Sequence, residues 1–239
     1  MINVAVVGAA GFVGSQIAKA VEENSKYNLI PVLSSDLIEK MLDAEIIIHS
    51  ANPAGRYLAE KHPEIDFQAS VSKTAKFFKE AGNRRFILIS SMSCRTQLYT
   101  NYGRNRRACE LLVRSGWTSD STVIRLGPMF GGNRKKDLLH DILTGRKVYI
   151  SKDSFYAYVD VAWVGEKVVE MIEGPSGIYE IGARNAVRLG DLSAYFHSTS
   201  EFCGIDETQI PENFVDGPNA TEVYAYAEKE LEWLKWQKK

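Results

Sequence analysis

Residues 1–15 read Met-Ile-Asn-Val-Ala-Val-Val-Gly-Ala-Ala-Gly-Phe-Val-Gly-Ser. The apolar run Ile2–Val7 predicts a strand, Gly8, Gly11 and Gly14 follow it, and Ser15–Glu23 predicts a helix. Strand, glycine turn and helix in that order form the front half of a dinucleotide-binding unit. Gly8 allows the tight turn, Gly11 lets the backbone approach a pyrophosphate, and Gly14 lets the helix pack close to the strand. The helix start then points its N–H groups at the phosphates. Ala10, Phe12 and Val13 complete this expected phosphate-side loop.

Beyond residue 15, apolar segments alternate with helical ones. Strands are predicted at Leu29–Leu33, Glu45–Ser50, Phe86–Ser90, Thr122–Leu126 and Gly177–Ile181. Helices are predicted at Ile65–Ala81, Tyr102–Ser115, Lys136–Leu143, Val161–Ile172, Leu189–Phe202 and about Thr221–Trp236. Short continuous runs such as Glu-Ile-Ile-Ile-His suit strands buried on both faces. Strands alternating with helices imply an α/β fold, a doubly wound parallel sheet of the Rossmann type. Between Leu33 and Glu45 there is room for one short helix only, so the first half of that sheet is expected to be trimmed. Ile205–Ala220, with Pro211, Gly217 and Pro218, is the most loop-like stretch.

The chain has 239 residues, 45% of them hydrophobic and 25% charged, with a net charge of −1. That is the composition of an ordinary globular protein, and its charge gives no field favouring nucleic acid or an anionic membrane. No apolar run approaches the roughly 20 residues of a membrane span. Cys94, Cys109 and Cys203 are odd in number and scattered, which fits free thiols in a reducing, cytoplasmic compartment. His49, His62, His140 and His197 show no ligand spacing, so no metal site is expected.

The ordered motifs resemble those of the extended short-chain dehydrogenase/reductase family, in particular its NAD-dependent epimerase/dehydratase group. After the glycine turn come Ile-Ile-His-Ser-Ala-Asn (47–52), Phe-Ile-Leu-Ile-Ser-Ser-Met-Ser (86–93), Tyr102-Gly-Arg-Asn-Arg106 and Val-Ile-Arg-Leu-Gly-Pro-Met-Phe-Gly-Gly (123–132). Tyr-Val-Asp-Val-Ala (158–162) and Gly-Ile-Tyr-Glu-Ile-Gly (177–182) complete the series. The resemblance implies a chain whose residues 1–130 mainly form the dinucleotide-binding core. Residues 131–239 then mainly form a small C-terminal substrate lobe, with 155–182 returning to the core. It implies an NAD(P)-dependent oxidoreductase or epimerase acting on a hydroxyl or keto group of a sugar or nucleotide sugar. The alternative is an NAD(P)-binding sensor or assembly protein with little catalysis.

The resemblance also assigns residues. Tyr102 is the expected acid/base, because a phenol can move a hydroxyl proton once a neighbouring cation offsets its reference pKa of about 10. Arg106, four residues on, lies on the same helical face and stands where the family has lysine. Ser91 is the expected hydroxyl donor to substrate, with Ser93 in reserve. Ser70 stands roughly where the family has a helix asparagine. Cofactor contacts are further expected from Ser34, Asp36, Ser50, Ala51, Asn52, Leu126, Gly127 and Pro128, as well as from Tyr102 and Arg106. Asp36 suits the ribose hydroxyls of NAD, Ser34 and Ser35 could instead accept a 2′-phosphate, and no arginine beside them leans the choice towards NAD. Structural readings compete: Ser90, Ser91 and Ser93 can satisfy a strand end, and Arg104, Arg106 and Arg107 can form a solvated face. Arg134, Lys135 and Lys136 can meet a pyrophosphate or form an exposed turn. Trp233 and Trp236 are expected to dock back onto the body. The family's pairing through two long helices implies a homodimer through Ile65–Ala81 and Tyr102–Ser115.

Overall fold

The strand expected at Ile2–Val7 forms with those bounds and becomes β1, one strand in from the edge of a six-stranded sheet. The structure, a computed structural model, describes the chain except residues 35, 37, 116–119, 133–136, 213–215 and 237–239 and the side chain of residue 235. Ser35, Arg134, Lys135 and Lys136 lie outside the described residues.

Two compact units divide the chain: Met1–Leu126 with Ala162–Glu180, and Gly127–Val161 with Ile181–Lys239. In the first, β1 (Ile2–Val7) leads to α1 (Phe12–Glu23) and β2 (Tyr27–Val32). A 3-10 turn at Ile38–Asp43 then carries the chain to β3 (Ile46–His49). Next come α2 (Arg56–Lys61), α3 (Pro63–Phe67), a π-helical turn at Gln68–Ser72 and α4 (Lys73–Ala81). β4 (Arg85–Ser91), α5 (Ser93–Thr96), α6 (Asn101–Arg114) and β5 (Ser121–Leu126) complete this stretch. The second unit opens with β6 (Met129–Phe130), α7 (Leu138–Leu143), β7 (Phe155–Tyr156) and β8 (Val159–Asp160). α8 (Val161–Glu170) and β9 (Gly177–Ile181) return to the first sheet, and β10 (Val187–Arg188), α9 (Leu189–Tyr195), β11 (Thr208–Gln209) and α10 (Glu222–Trp236) finish the chain.

The main sheet has the order β2-β1-β3-β4-β5-β9. β1 pairs in parallel with β2 and β3, and β4 in parallel with β3 and β5. The expected trimming is present: only the 3-10 turn separates β2 from β3, so β2 is the sheet edge among the described residues. Because β2 lies on one side of β1 and β3 on the other, the order in which strands are added reverses at β1. Such a switch point opens a crevice at the carboxyl ends of the strands, where α/β proteins bind ligands.

Alternation along the strands explains the layers. Ala5, Val7, Ile47, Phe86, Leu88 and Val123 point to one face, where they pack with Val71, Ala81, Cys109 and Val113 of the α4 and α6 layer. α8 packs against α1 in the same unit, where Gly165 comes so close to Gln16 that a Cβ would lie 2.6 Å from the Gln16 backbone. The second unit has its own apolar cluster, including Phe130, Leu139, Ile142, Tyr156, Leu189 and Val223. Its β10, β7 and β11 form a small sheet, and β6 pairs with β8.

Three expected helices are corrected. The one from Leu189 stops at Tyr195, not Phe202, because His197 adopts a left-handed φ of 51°. The hydroxyls of Ser198 and Ser200 then donate to the carbonyls of Ile142 and Asp141, a local alternative to helix bonding. The helix expected from Lys136 starts at Leu138, capped by Asp137, whose side chain accepts the His140 N–H. The helix expected from Ile65 begins at Pro63 and is wound as a π turn between its two α segments. The loop-like stretch 205–220 contains β11, paired with β7.

Candidate functional site

The glycine turn is built by backbone. Gly8 N–H donates to Val32 O at 2.9 Å, which ties the turn to the end of β2, and Gly11 N–H donates to Gly8 O at 2.8 Å. Gly8 has φ +88°, and a Cβ there would lie 2.9 Å from Ala51 Cα. At Gly14 a Cβ would lie 2.1 Å from Gly8 O. Both positions therefore require glycine, one for conformation and close approach, the other for close approach alone. α1 begins without a side-chain cap and without an acid in its first turn, so nothing acidic there competes for an anion. Ala10 and Gly11 are exposed, Phe12 and Val13 half-buried. Gly14→Ala is expected to overpack the turn, costing about 1–3 kcal/mol. Thermal unfolding checks it; a variant as stable as wild type would mean that the turn relaxes around the added methyl.

The loop after β3 meets this turn. Ser50 N–H donates to Val7 O at 2.9 Å, and Ala51 is the residue that touches Gly8. Behind it, His49 is fully buried, its ring tilted against those of Phe77 and Phe86. The Thr74 hydroxyl donates to Asn52 Oδ1 at 3.3 Å, so at 3.1 Å it accepts from His49 Nε2. Burial, then the Lys73 and Arg106 charges, hold the His49 pKa down to about 3, so the ring is neutral at physiological pH. His49 Nδ1 and Asn52 Nδ2 are buried and have no hydrogen-bond partner among the described residues.

Arg106 joins this loop to Tyr102. Its side chain is 2% exposed, and its Nη2 donates to Pro53 O and, at 3.3 Å, to Ser70 Oγ. Its Cζ lies 4.7 Å from the centroid of the nearly buried Tyr102 ring, a cation–π stack. Nη1 is buried and has no partner among the described residues. Arg106 is therefore an inward group, unlike Arg104, which stays exposed and bonds backbone carbonyls. Ser70 sits in the π turn, fully buried, and donates to Asp66 Oδ1 at 3.4 Å, while Asn105 Nδ2 donates to Asp66 Oδ2 at 2.7 Å.

Ser91 and Ser93 flank Met92, whose N–H donates to Leu126 O at 3.0 Å, so the ends of β4 and β5 are held together. Ser91 Oγ accepts the Ser93 N–H at 3.2 Å and keeps its own proton to donate. Ser93 is buried, and its carbonyl lies against Gly103, where a Cβ would be 2.7 Å away. That contact seats the start of α6, with Tyr102, on the α5 turn. Tyr102, Arg106, Ser70, Asn52, Ala51 and Gly8 thus form one continuous set of contacts in the first unit. Gly127 and Pro128 belong to the second unit, where Gly127 N–H donates to Ile181 O and Pro128 O accepts from Val159 N–H. Ser34 is exposed on the turn after β2.

Glu110 carries no expectation from sequence, yet it organises the back of this site. It is 1% exposed and accepts from Ser90 Oγ at 2.6 Å, Cys94 Sγ at 2.8 Å, Arg125 Nη2 at 2.8 Å and Arg107 Nη1 at 3.3 Å. Arg125 also reaches Glu180, which Arg95 grips with two bonds. Burial and the Glu110 charge push the Cys94 thiol up, which keeps it protonated and inert. The signal in sequence is the spacing: Tyr102, Arg106 and Glu110 recur every fourth residue and share one face of α6.

No protein-family model matches the chain, and no curated protein matches it in sequence. Solved structures match it along its length. A dTDP-4-dehydrorhamnose reductase from Clostridium acetobutylicum superposes with a TM-score of 0.79 at 12% identity, over 97% of this chain and 100% of that one. MoeE5, solved with UDP-glucuronic acid and NAD, gives 0.78 at 15% identity, over 98% and 99%. A UDP-glucuronic acid 4-epimerase from Bacillus cereus, solved with UDP-glucuronic acid and NAD, gives 0.74 at 15% identity, over 99% and 100%. At these identities the likeness is one of fold: the chain has the Rossmann-type fold of these reductases and epimerases.

Proposed function

We propose that this protein is an NAD(P)-dependent oxidoreductase or epimerase of the extended short-chain reductase type, acting on a hydroxyl or keto carbon of a nucleotide sugar. The observation that carries the reading is Arg106: buried, stacked on Tyr102, tied to the loop that touches the glycine turn, and holding one unpartnered nitrogen. With Asn52 Nδ2 it offers two orphaned donors beside a cradle that admits only glycine, which fits a polar, phosphate-bearing cofactor.

A nicotinamide dinucleotide supplies hydride transfer when bound. Tyr102 gives its phenolic proton to the substrate oxygen in reduction and takes it back in oxidation. Arg106 sets positive charge against the ring while the proton is away. The Ser91 O–H donates to the same substrate oxygen and orients it. Residues 1–130 mainly hold the dinucleotide and 131–239 mainly hold the sugar, with 155–182 returning to the core. Among the described residues no helix is long and apolar enough to cross a membrane, in keeping with a cytoplasmic enzyme. Exposed Ile65, Phe67 and Leu111, on the α3 and α6 helices, suit a homodimer through a helical interface.

The purified protein is expected to bind NADH or NADPH and to oxidise it when mixed with a panel of keto nucleotide sugars, followed at 340 nm. Tight binding without turnover on any of them, and no gain from Arg106→Lys, would favour the sensor reading. Absence of any dinucleotide binding would remove both.

A further inference from the structure

An open pocket of about 470 Å³ lies between the segment that follows β2 and the α4 region, lined by Asp36, Glu39, Gln68, Lys73, Lys76 and Phe77 among others. Asp36 comes from the turn after β2. Lys73 and Lys76 come from α4, one helical turn apart and therefore on one face. Thr74, between them in sequence, is buried and bonded to Asn52 and His49, which anchors this part of α4 to the loop that meets the glycine turn.

The charges in this pocket are unequally matched. Asp36 Oδ2 already accepts the Leu33 N–H at 2.7 Å and Lys40 Nζ at 2.9 Å. A carboxylate that takes both hydroxyls of an adenosine ribose needs both oxygens open, and here Oδ2 is engaged twice and its charge answered by Lys40. Lys73 and Lys76 have no ion pair or hydrogen bond among the described residues, and Lys73 is felt as far as His49, whose ring it helps keep neutral. With Lys40 bonded to Asp36, Lys73 and Lys76 outweigh the remaining acid of the lining, Glu39. A phosphate dianion is what such a set of donors recognises.

We infer that the dinucleotide selected here carries a 2′-phosphate, that is NADP(H), and that Lys73 and Lys76 are the residues that select it. The inference rests on the dinucleotide reading above. It reverses the lean towards NAD drawn from the absence of an arginine next to Ser34, because the cations arrive from a helix nearly forty residues further along.

Titration by calorimetry or nucleotide fluorescence tests it without any substrate. NADPH is expected to bind at least tenfold tighter than NADH, and the fragment 2′,5′-ADP at least tenfold tighter than 5′-AMP. In Lys73→Ala/Lys76→Ala that margin is expected to fall to threefold or less with NADH affinity changed under twofold. Lys76→Glu, a change at an exposed position that the fold tolerates, is expected to remove most of the margin by itself. Equal or tighter binding of NADH, or a margin that survives in the double variant, would overturn the inference while leaving the dinucleotide reading intact. Failure of both NADPH and NADH to bind the wild-type chain would defeat that underlying reading and the inference with it.

Discussion

Tyr102→Phe is expected to lower turnover by a factor of about 10²–10⁴, the usual contribution of a positioned acid/base, while leaving NADPH affinity within twofold. Phenylalanine preserves the ring that stacks under Arg106 Cζ and the packing of a nearly buried side chain. What it removes is the hydroxyl alone. Loss of turnover with unchanged binding and unchanged thermal stability would place the proton transfer on that oxygen. Turnover at the wild-type rate would mean that the proton moves elsewhere and that Tyr102 only packs. Arg106→Lys is the informative companion. Lysine keeps the charge but loses the planar stack and the two-way grip on Pro53 O and Ser70 Oγ. A rise in turnover would show that arginine restrains a working site; a fall would show that this site is built around arginine.

The legible parts of the chain were the local ones. β1 and β9 have the predicted bounds because their apolar runs end in residues that cannot continue a strand, as Gly8 does with its positive φ. The trimmed half-sheet could be counted from the short interval between β2 and β3. Tyr102 and Arg106 could be paired because helical spacing alone puts them on one face. Contacts between distant segments were not legible. Thr74 bonding Asn52, and Lys73 and Lys76 lining a pocket with Asp36, depend on how α4 packs on its neighbours, and Pro53 O receiving Arg106 depends on how α6 meets the loop after β3. The π turn at Gln68–Ser72 was equally hidden: one extra residue in a turn leaves the apolar pattern almost unchanged, yet it carries the buried Ser70 that Arg106 meets.

Glu110 shows the same limit at larger energy, and its removal is expected to be the most destabilising single change in the first unit. In Glu110→Ala, Arg125 keeps only Glu180, and Ser90 and Cys94 lose the acceptor that binds them. Breaking a buried pair by deleting one partner typically costs about 3–5 kcal/mol, because the remaining charge stays out of water. At about 2–4 °C per kcal/mol for a chain of this size, the melting temperature is expected to fall on the order of 10 °C. The double variant Glu110→Leu/Arg125→Met is expected to recover part of that loss, since apolar replacement of both partners leaves less charge stranded. A single-variant loss under about 1 kcal/mol would mean that water reaches the cluster and screens it. The consequence for function follows from where the bonds go. Glu110 is two helical turns beyond Tyr102 on α6, while Ser90 and Cys94 stand on either side of the Ser91–Ser93 segment. The same carboxylate therefore fixes the phenol and the serine hydroxyl relative to each other. Glu110→Gln retains an acceptor but not the charge, so it is expected to lose less stability than Glu110→Ala.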